Sequence, residues 1–100
     1  MSNGQYQLVI HRAAETELDD LNEPEKTQLK DALRGLKTEE EPTNTPVAGS
    51  LKDNQNLFRV KVDGVRALCT LDKPALKVLL VGEREGVYNR IEVAKARAGL

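Results

Sequence analysis

The chain is 100 residues long, 39% hydrophobic and 31% charged, with a formal net charge of -1 and one cysteine. That length gives one domain, residues 1–100, with a core of modest size. No run is apolar enough for a membrane span or signal peptide, and one Cys and one His exclude a disulfide framework and a dedicated zinc site. Residues 1–50 carry five Lys and Arg against ten Asp and Glu, a net -5, and residues 51–100 carry ten against six, a net +4, so the second half is the half suited to a polyanion.

Gln5 to Ile10 (QYQLVI) reads as a strand with Tyr6, Leu8 and Ile10 on one face, though its place in the sheet is not set by pattern. His11 to Leu21 reads as a helix, with Ala14, Leu18 and Leu21 at i, i+4 and i+7, and His11 takes a loop or capping role at its start. Asn22-Glu23-Pro24-Glu25 opens a second helix, with Asn22 as cap, Pro24 in the first turn and Glu25 as capping-box partner. This helix runs to about Lys37 on an apolar stripe of Leu29, Ala32, Leu33 and Leu36. The short link makes the two helices an antiparallel pair able to cover a sheet. Thr38 to Ser50, with Glu39, Glu40 and Glu41, two prolines and a glycine, reads as an exposed loop.

Leu57 to Tyr88 organises the rest. Two alternating runs flank Asp63-Gly64, the signal of a two-residue type I′ hairpin. With that loop, Val62 faces Val65 and Lys61 faces Arg66. Period two then sets Arg59, Lys61 and Arg66 on one face, and Phe58, Val60, Val62, Val65, Ala67, Cys69 and Leu71 on the core face. Cys69 is there a small buried hydrophobe. After a turn at Asp72 to Ala75, Leu76 to Gly82 forms the last strand of a meander. A simple loop pairs Leu71 with Leu76 and Arg66 with Val81, which gives Arg84 the wrong parity for the cation face unless Gly82 supplies a bulge or bend. Arg90 to Ala98 is a short basic helix, loosely held by Ile91, Ala94 and Ala98. The sum is an α+β fold: a strand, a helix hairpin, a three-strand antiparallel meander and a short C-terminal helix, with the hairpin of helices on one sheet face. Taken alone, the three cations read first as a solvated sheet face. Joined by Arg84 and Tyr88, they read as a phosphodiester site.

This order of elements resembles the RelE/ParE toxin superfamily. The segment Leu51-Lys52 followed by LFRVKVDGVRAL and KVLLVGEREGVY is similar to its RelE branch of mRNA interferases. In that branch the first hairpin strand carries two basic residues two apart, here Arg59 and Lys61. The next strand carries an arginine after the turn, here Arg66. The last strand ends in Val-Gly-x-Arg, here Val81-Gly82-Glu83-Arg84, and a tyrosine follows, here Tyr88. The resemblance implies a cytoplasmic toxin of a type II toxin–antitoxin system, a metal-independent endoribonuclease that cleaves mRNA on the ribosome by attack of a 2′-OH on the adjacent phosphate. It implies Arg59, Lys61, Arg84 and Tyr88 as catalytic residues, Arg66 and Lys52 as phosphate- or substrate-binding residues, and no cofactor. The implied partners are the ribosome, mRNA and a cognate antitoxin that wraps the basic surface and displaces the last helix, with no membrane. Two rivals share the fold. A ParE-like gyrase inhibitor is disfavoured by the Arg59, Lys61, Arg84, Tyr88 set, and a catalytically inactive RelE-fold binding module is kept in view by the low net charge.

Overall fold

The computed structural model describes residues 6–51 and 54–99. Along the chain run β1 (Gln7–Ile10), α1 (Arg12–Asp19), α2 (Glu23–Leu36), β2 (Ala48–Leu51), β3 (Asn54–Val62), β4 (Val65–Asp72), β5 (Ala75–Glu83), α3 (Arg84–Tyr88) and α4 (Ile91–Ala98). None of the described helices is long and apolar enough to cross a membrane.

The α+β class and the helix pair on one sheet face are as expected; the sheet itself is larger. Its order is β1-β5-β4-β3-β2. Strand β1 lies at one edge and pairs in parallel with β5, Gln7 opposite Ala75 through Ile10 opposite Val78. The other edge is β2, a strand that the Pro- and Glu-rich composition of 38–50 concealed. It pairs antiparallel with β3, Ala48 opposite Val60 and Gly49 opposite Arg59. Short strands of this kind draw their stability from the neighbour they pair with, so local composition marks them weakly.

The first helix starts where His11 Nδ1 accepts a hydrogen bond from the Ala13 amide at 3.1 Å, the capping role read for it. The second begins at Asn22, whose backbone is extended but whose side chain makes no capping hydrogen bond, so the expected capping box does not form. Pro24 in the first turn and the Lys26 amide bonded to Asn22 O at 2.9 Å hold that start instead. Ala14, Leu18, Leu29, Leu33 and Leu36 are buried against Phe58, Val60, Val65, Ala67, Cys69, Leu76 and Val78. Each fully buried leucine contributes about 1.5–3 kcal/mol, which is what keeps two short helices seated on the sheet.

The opposite face also has a core. Leu57, Leu68, Leu79 and Leu80 of the sheet pack with Val87 of α3 and Ala94 of α4. Strand β4 is therefore covered on both faces, and Val65 through Thr70 are all buried. This second face is thus apolar where α3 and α4 cover it, and α3 begins at the β3–β4 turn, near Lys61 and Arg66.

Candidate anion-binding site

The β3–β4 register is as derived: Val62 pairs with Val65, Lys61 with Arg66, and Arg59 with Leu68. The turn differs in detail. Left-handed backbone falls on Asp63 (φ 52°) and not on Gly64, whereas a type I′ turn needs it at both. Aspartate tolerates that conformation.

Strand β5 resolves the parity of Arg84. Leu71 does pair with Leu76, but the register shifts between Leu68 and Cys69: Cys69 faces Val78, Leu68 faces Leu80, and Leu79 is the extra residue. Leu79 and its neighbour Leu80 both join the second core, two consecutive side chains on one face. From there on Ala67 pairs with Val81 and Arg66 with Gly82. The bulge thus sits at Leu79, three residues before the expected Gly82, and it returns the C-terminal end of β5 to the parity of the cation face. Gly82 has another use. A Cβ on it would stand 3.2 Å from Val87 Cγ2, so the missing side chain lets α3 press onto the sheet.

Helix α3, not foreseen from the sequence, carries the last two residues of the set. Arg84 is its first residue and Tyr88 its last. At i and i+4 they share one side of a single helical turn. The Arg84 amide bonds to Gly64 O at 3.0 Å, which ties the start of α3 to the β3–β4 turn. Arg84 is exposed and Tyr88 half-buried. A shallow groove of about 570 Å³ opens beside Arg84, lined by Gly64, Glu83, Arg84, Glu85, Gly86 and Asn89; Tyr88 does not line it. Lys61 is exposed. The half-buried Arg59 leans outward across β2, where its guanidinium lies over Gly49: a Cβ there would meet Nη1, Nη2 and Cζ at 3.7–3.8 Å.

Arg66 shares the face but not the exposure. It is 5% exposed, and its Nη1 donates to Asp63 O at 2.6 Å and Val65 O at 3.0 Å. Its Nε is buried without a partner. Part of the planar fork read as a phosphate clamp is thus engaged by the turn's own carbonyls. Lys52 lies outside the described residues. Among the described residues, no carboxylate stands within 4.0 Å of Arg59, Lys61, Arg66 or Arg84, whereas Lys26, Arg34, Lys77, Arg90, Lys95 and Arg97 all have acidic partners.

Sequence reading missed Glu17. It stands at i+3 in the apolar stripe of α1, between Ala14 and Leu18, and a charge in that position was the available signal. Its carboxylate accepts from the Val81 amide at 3.0 Å, from Arg97 at 3.0 and 3.1 Å, and from Arg90 at 3.2 Å. Arg97 also donates to Leu79 O at 2.9 Å. The pair satisfies the edge of β5 beyond the end of β1, and it fastens α4 to α1. Partial burial works to raise the Glu17 pKa, but the hydrogen bonds from Arg97 and Val81 and the charges of Arg97 and Arg90 outweigh it and hold the carboxyl below its usual value. The fully buried Cys69 goes the other way: burial pushes its thiol far up, as suits a core residue and not a nucleophile.

No protein-family model matches the sequence, and no curated protein matches it by sequence. Solved structures do match in shape. A double arginine-mutant form of Escherichia coli toxin RelE in the free state superposes with a TM-score of 0.74 at 22% identity, over 92% of this chain and 97% of that one. The toxin–antitoxin complex RelB–RelE from Methanococcus jannaschii gives 0.67 at 11% identity, over 81% and 95%. The archaeal RelE–RelB complex from Pyrococcus horikoshii gives 0.66 at 18% identity, over 80% and 96%. The chain has the RelE toxin fold.

Proposed function

We propose that this protein is the toxin of a type II toxin–antitoxin pair and acts as a metal-independent endoribonuclease on ribosome-bound mRNA. One observation carries the reading: Arg59, Lys61 and Arg66 share one face of the β3–β4 hairpin, Arg84 opens the helix tied to the hairpin turn, and none of the four has a carboxylate within 4.0 Å among the described residues. A site that must stabilise a dianionic phosphorane needs fixed positive charge in that arrangement.

The nucleotide's 2′ oxygen attacks the adjacent phosphorus and the bond to the 5′ oxygen breaks, leaving a cyclic phosphate. Tyr88 takes the 2′ proton or stacks on the base to hold the attack in line. Lys61 and Arg59 neutralise the phosphorane, each strong donor being worth about 3–4 kcal/mol. Arg84, i-4 from Tyr88, stabilises the charge on the departing 5′ oxygen. An arginine holds its proton tightly, so the proton that oxygen gains comes through water or Lys61. Arg66, with Nη1 committed and Nε buried, supplies a fixed charge below the surface. The RelB–RelE complexes among the structural matches support a cognate antitoxin as a partner.

The test is single-turnover cleavage of mRNA on programmed ribosomes. Cleavage by the unaltered protein, lost in Tyr88→Ala with ribosome binding retained, is the expected result. A protein that binds ribosomes and leaves the message intact is a binding module, and one that acts on gyrase instead is ParE-like; either result overturns the enzyme reading.

A further inference from the structure

We infer that Gly49 is a positioning residue for Arg59: its bare Cα is the bed on which the catalytic guanidinium lies. The inference rests on the reading of Arg59 as a group that meets the scissile phosphate. Gly49 pairs directly with Arg59 across β2 and β3, so the two occupy the same sheet face. A Cβ at Gly49 would lie 3.7 Å from Nη1, 3.7 Å from Nη2 and 3.8 Å from Cζ. Near-equal distances to three atoms of one plane mean that the guanidinium lies flat above this position. Arg59 therefore leans across β2, on the side of β3 away from Lys61's opposite number Arg66.

This answers a problem posed by the sequence. Lys61 and Arg66 already face each other as like charges. A third cation on the same strand, two residues back, is best accommodated by turning its head outward, and a strand position with no side chain beyond Cβ offers the room. The flanking backbone supports the arrangement: the Lys61 amide bonds to Val47 O at 2.7 Å, so β2 is held alongside β3 up to the second cation. A long side chain laid on a fixed surface loses its rotamer freedom before substrate arrives, which favours an enzyme whose work is to hold charge in place.

The size limit is sharp. A methyl group at position 49 makes ordinary contact with the guanidinium at 3.7 Å. A γ carbon, roughly 1.5 Å further out, occupies the space of the guanidinium itself and evicts it. Gly49→Ala should therefore keep the position and Gly49→Val should lose it, although valine is the better strand former.

The experiment combines a positional and a kinetic readout. In side-chain NMR of the free protein, the Arg59 Nε–H signal, assigned by its loss in Arg59→Ala, should keep its shift and sharpness in Gly49→Ala and move to the exposed-arginine position in Gly49→Val. In single-turnover cleavage, Gly49→Val should fall tenfold or more, as Arg59→Ala does, Gly49→Ala should stay within about threefold, and Gly49→Val/Arg59→Ala should be no slower than Arg59→Ala alone. Thermal melts check that each variant is folded. An unmoved Arg59 signal in Gly49→Val, or losses that multiply in the double variant, overturns the proposal. If Arg59→Ala itself cleaves normally, the role given to Arg59 fails and the proposal falls with it. If Arg59→Ala is impaired and Gly49→Val is not, the proposal alone falls.

Discussion

Lys61 and Arg66 sit opposite each other and carry the same charge, yet their surroundings assign them different work. Lys61 is exposed and free to follow a substrate, while Arg66 is 5% exposed and bonded to two carbonyls of its own turn. Arg66→Ala removes both bonds, one of which anchors the Asp63 carbonyl of the turn. It should cost about 1–3 kcal/mol, read as a lower denaturant midpoint with an unchanged slope. Lys61→Ala should leave the midpoint nearly unmoved and cut single-turnover cleavage by about tenfold or more. A comparable midpoint loss in both would mean that the burial difference has no energetic weight. Tyr88 divides in the same manner. Tyr88→Ala should lower cleavage by roughly two orders of magnitude or more, and Tyr88→Phe separates the roles: retained activity assigns stacking, lost activity assigns the proton. Being half-buried, Tyr88 should be checked for folding by the same denaturant curve.

At the scale of elements, the second core and α4 are held in two ways, through Val87 and Ala94 and through Glu17. Glu17→Gln keeps an acceptor for the Val81 amide but removes the charge that Arg97 and Arg90 oppose. A loss of about 2 kcal/mol is expected, with faster hydrogen exchange in α4 and at Val81 than in α2. The pH dependence has a definite sign. Because the folded Glu17 pKa lies below its usual value, the stabilisation is fully present above the unfolded pKa and is lost as pH falls through the folded one. Stability should therefore drop below about pH 4.5, and less steeply in Glu17→Gln. An unchanged acid limb in that variant would remove Glu17 as its source. The same elements show what the sequence could reveal. The hairpin register, the two buried faces of α1 and α2 and the shared side of Arg59, Lys61 and Arg66 followed from period and turn chemistry, which are local. The bulge at Leu79, the strand β2 and the Glu17–Arg97 pair did not. Each depends on a partner distant in sequence: Leu68 and Cys69 for the bulge, β3 for β2, a residue eighty positions on for Glu17. The one-turn helix α3 was hidden for a related reason, since five residues form a helix only where tertiary packing holds them, here Val87 on Gly82.

Across the whole molecule the charge is divided by distance. The acidic run Glu39, Glu40 and Glu41 is exposed, and Glu40 lines a depression with Tyr6, Lys73 and Pro74 beside the β4–β5 turn. Lys61, Arg66 and Arg84 stand beside the β3–β4 turn, at the other end of β4, and Arg59 stands opposite its middle. That strand has eight residues, and a strand of this length spans roughly 25 Å. The Debye length at physiological ionic strength is about 8 Å, so the glutamates are screened from the site despite bringing the net charge to -1. Net charge is then a poor guide to polyanion affinity here, and the local set governs. Ribosome binding measured against salt should show this. Replacing one contacting cation, Lys61→Ala or Arg84→Ala, should reduce the slope of log K against log salt by about 0.7, the value for one neutralised phosphate on a single strand. Changing Glu39, Glu40 and Glu41 together to Gln raises the net charge by three, more than either arginine or lysine variant changes it, yet should leave both the slope and the cleavage rate within a few-fold of the unaltered protein. A steep change in slope from the triple glutamine variant, with the lysine and arginine variants flat, would place the RNA-facing surface at the β4–β5 end of the sheet.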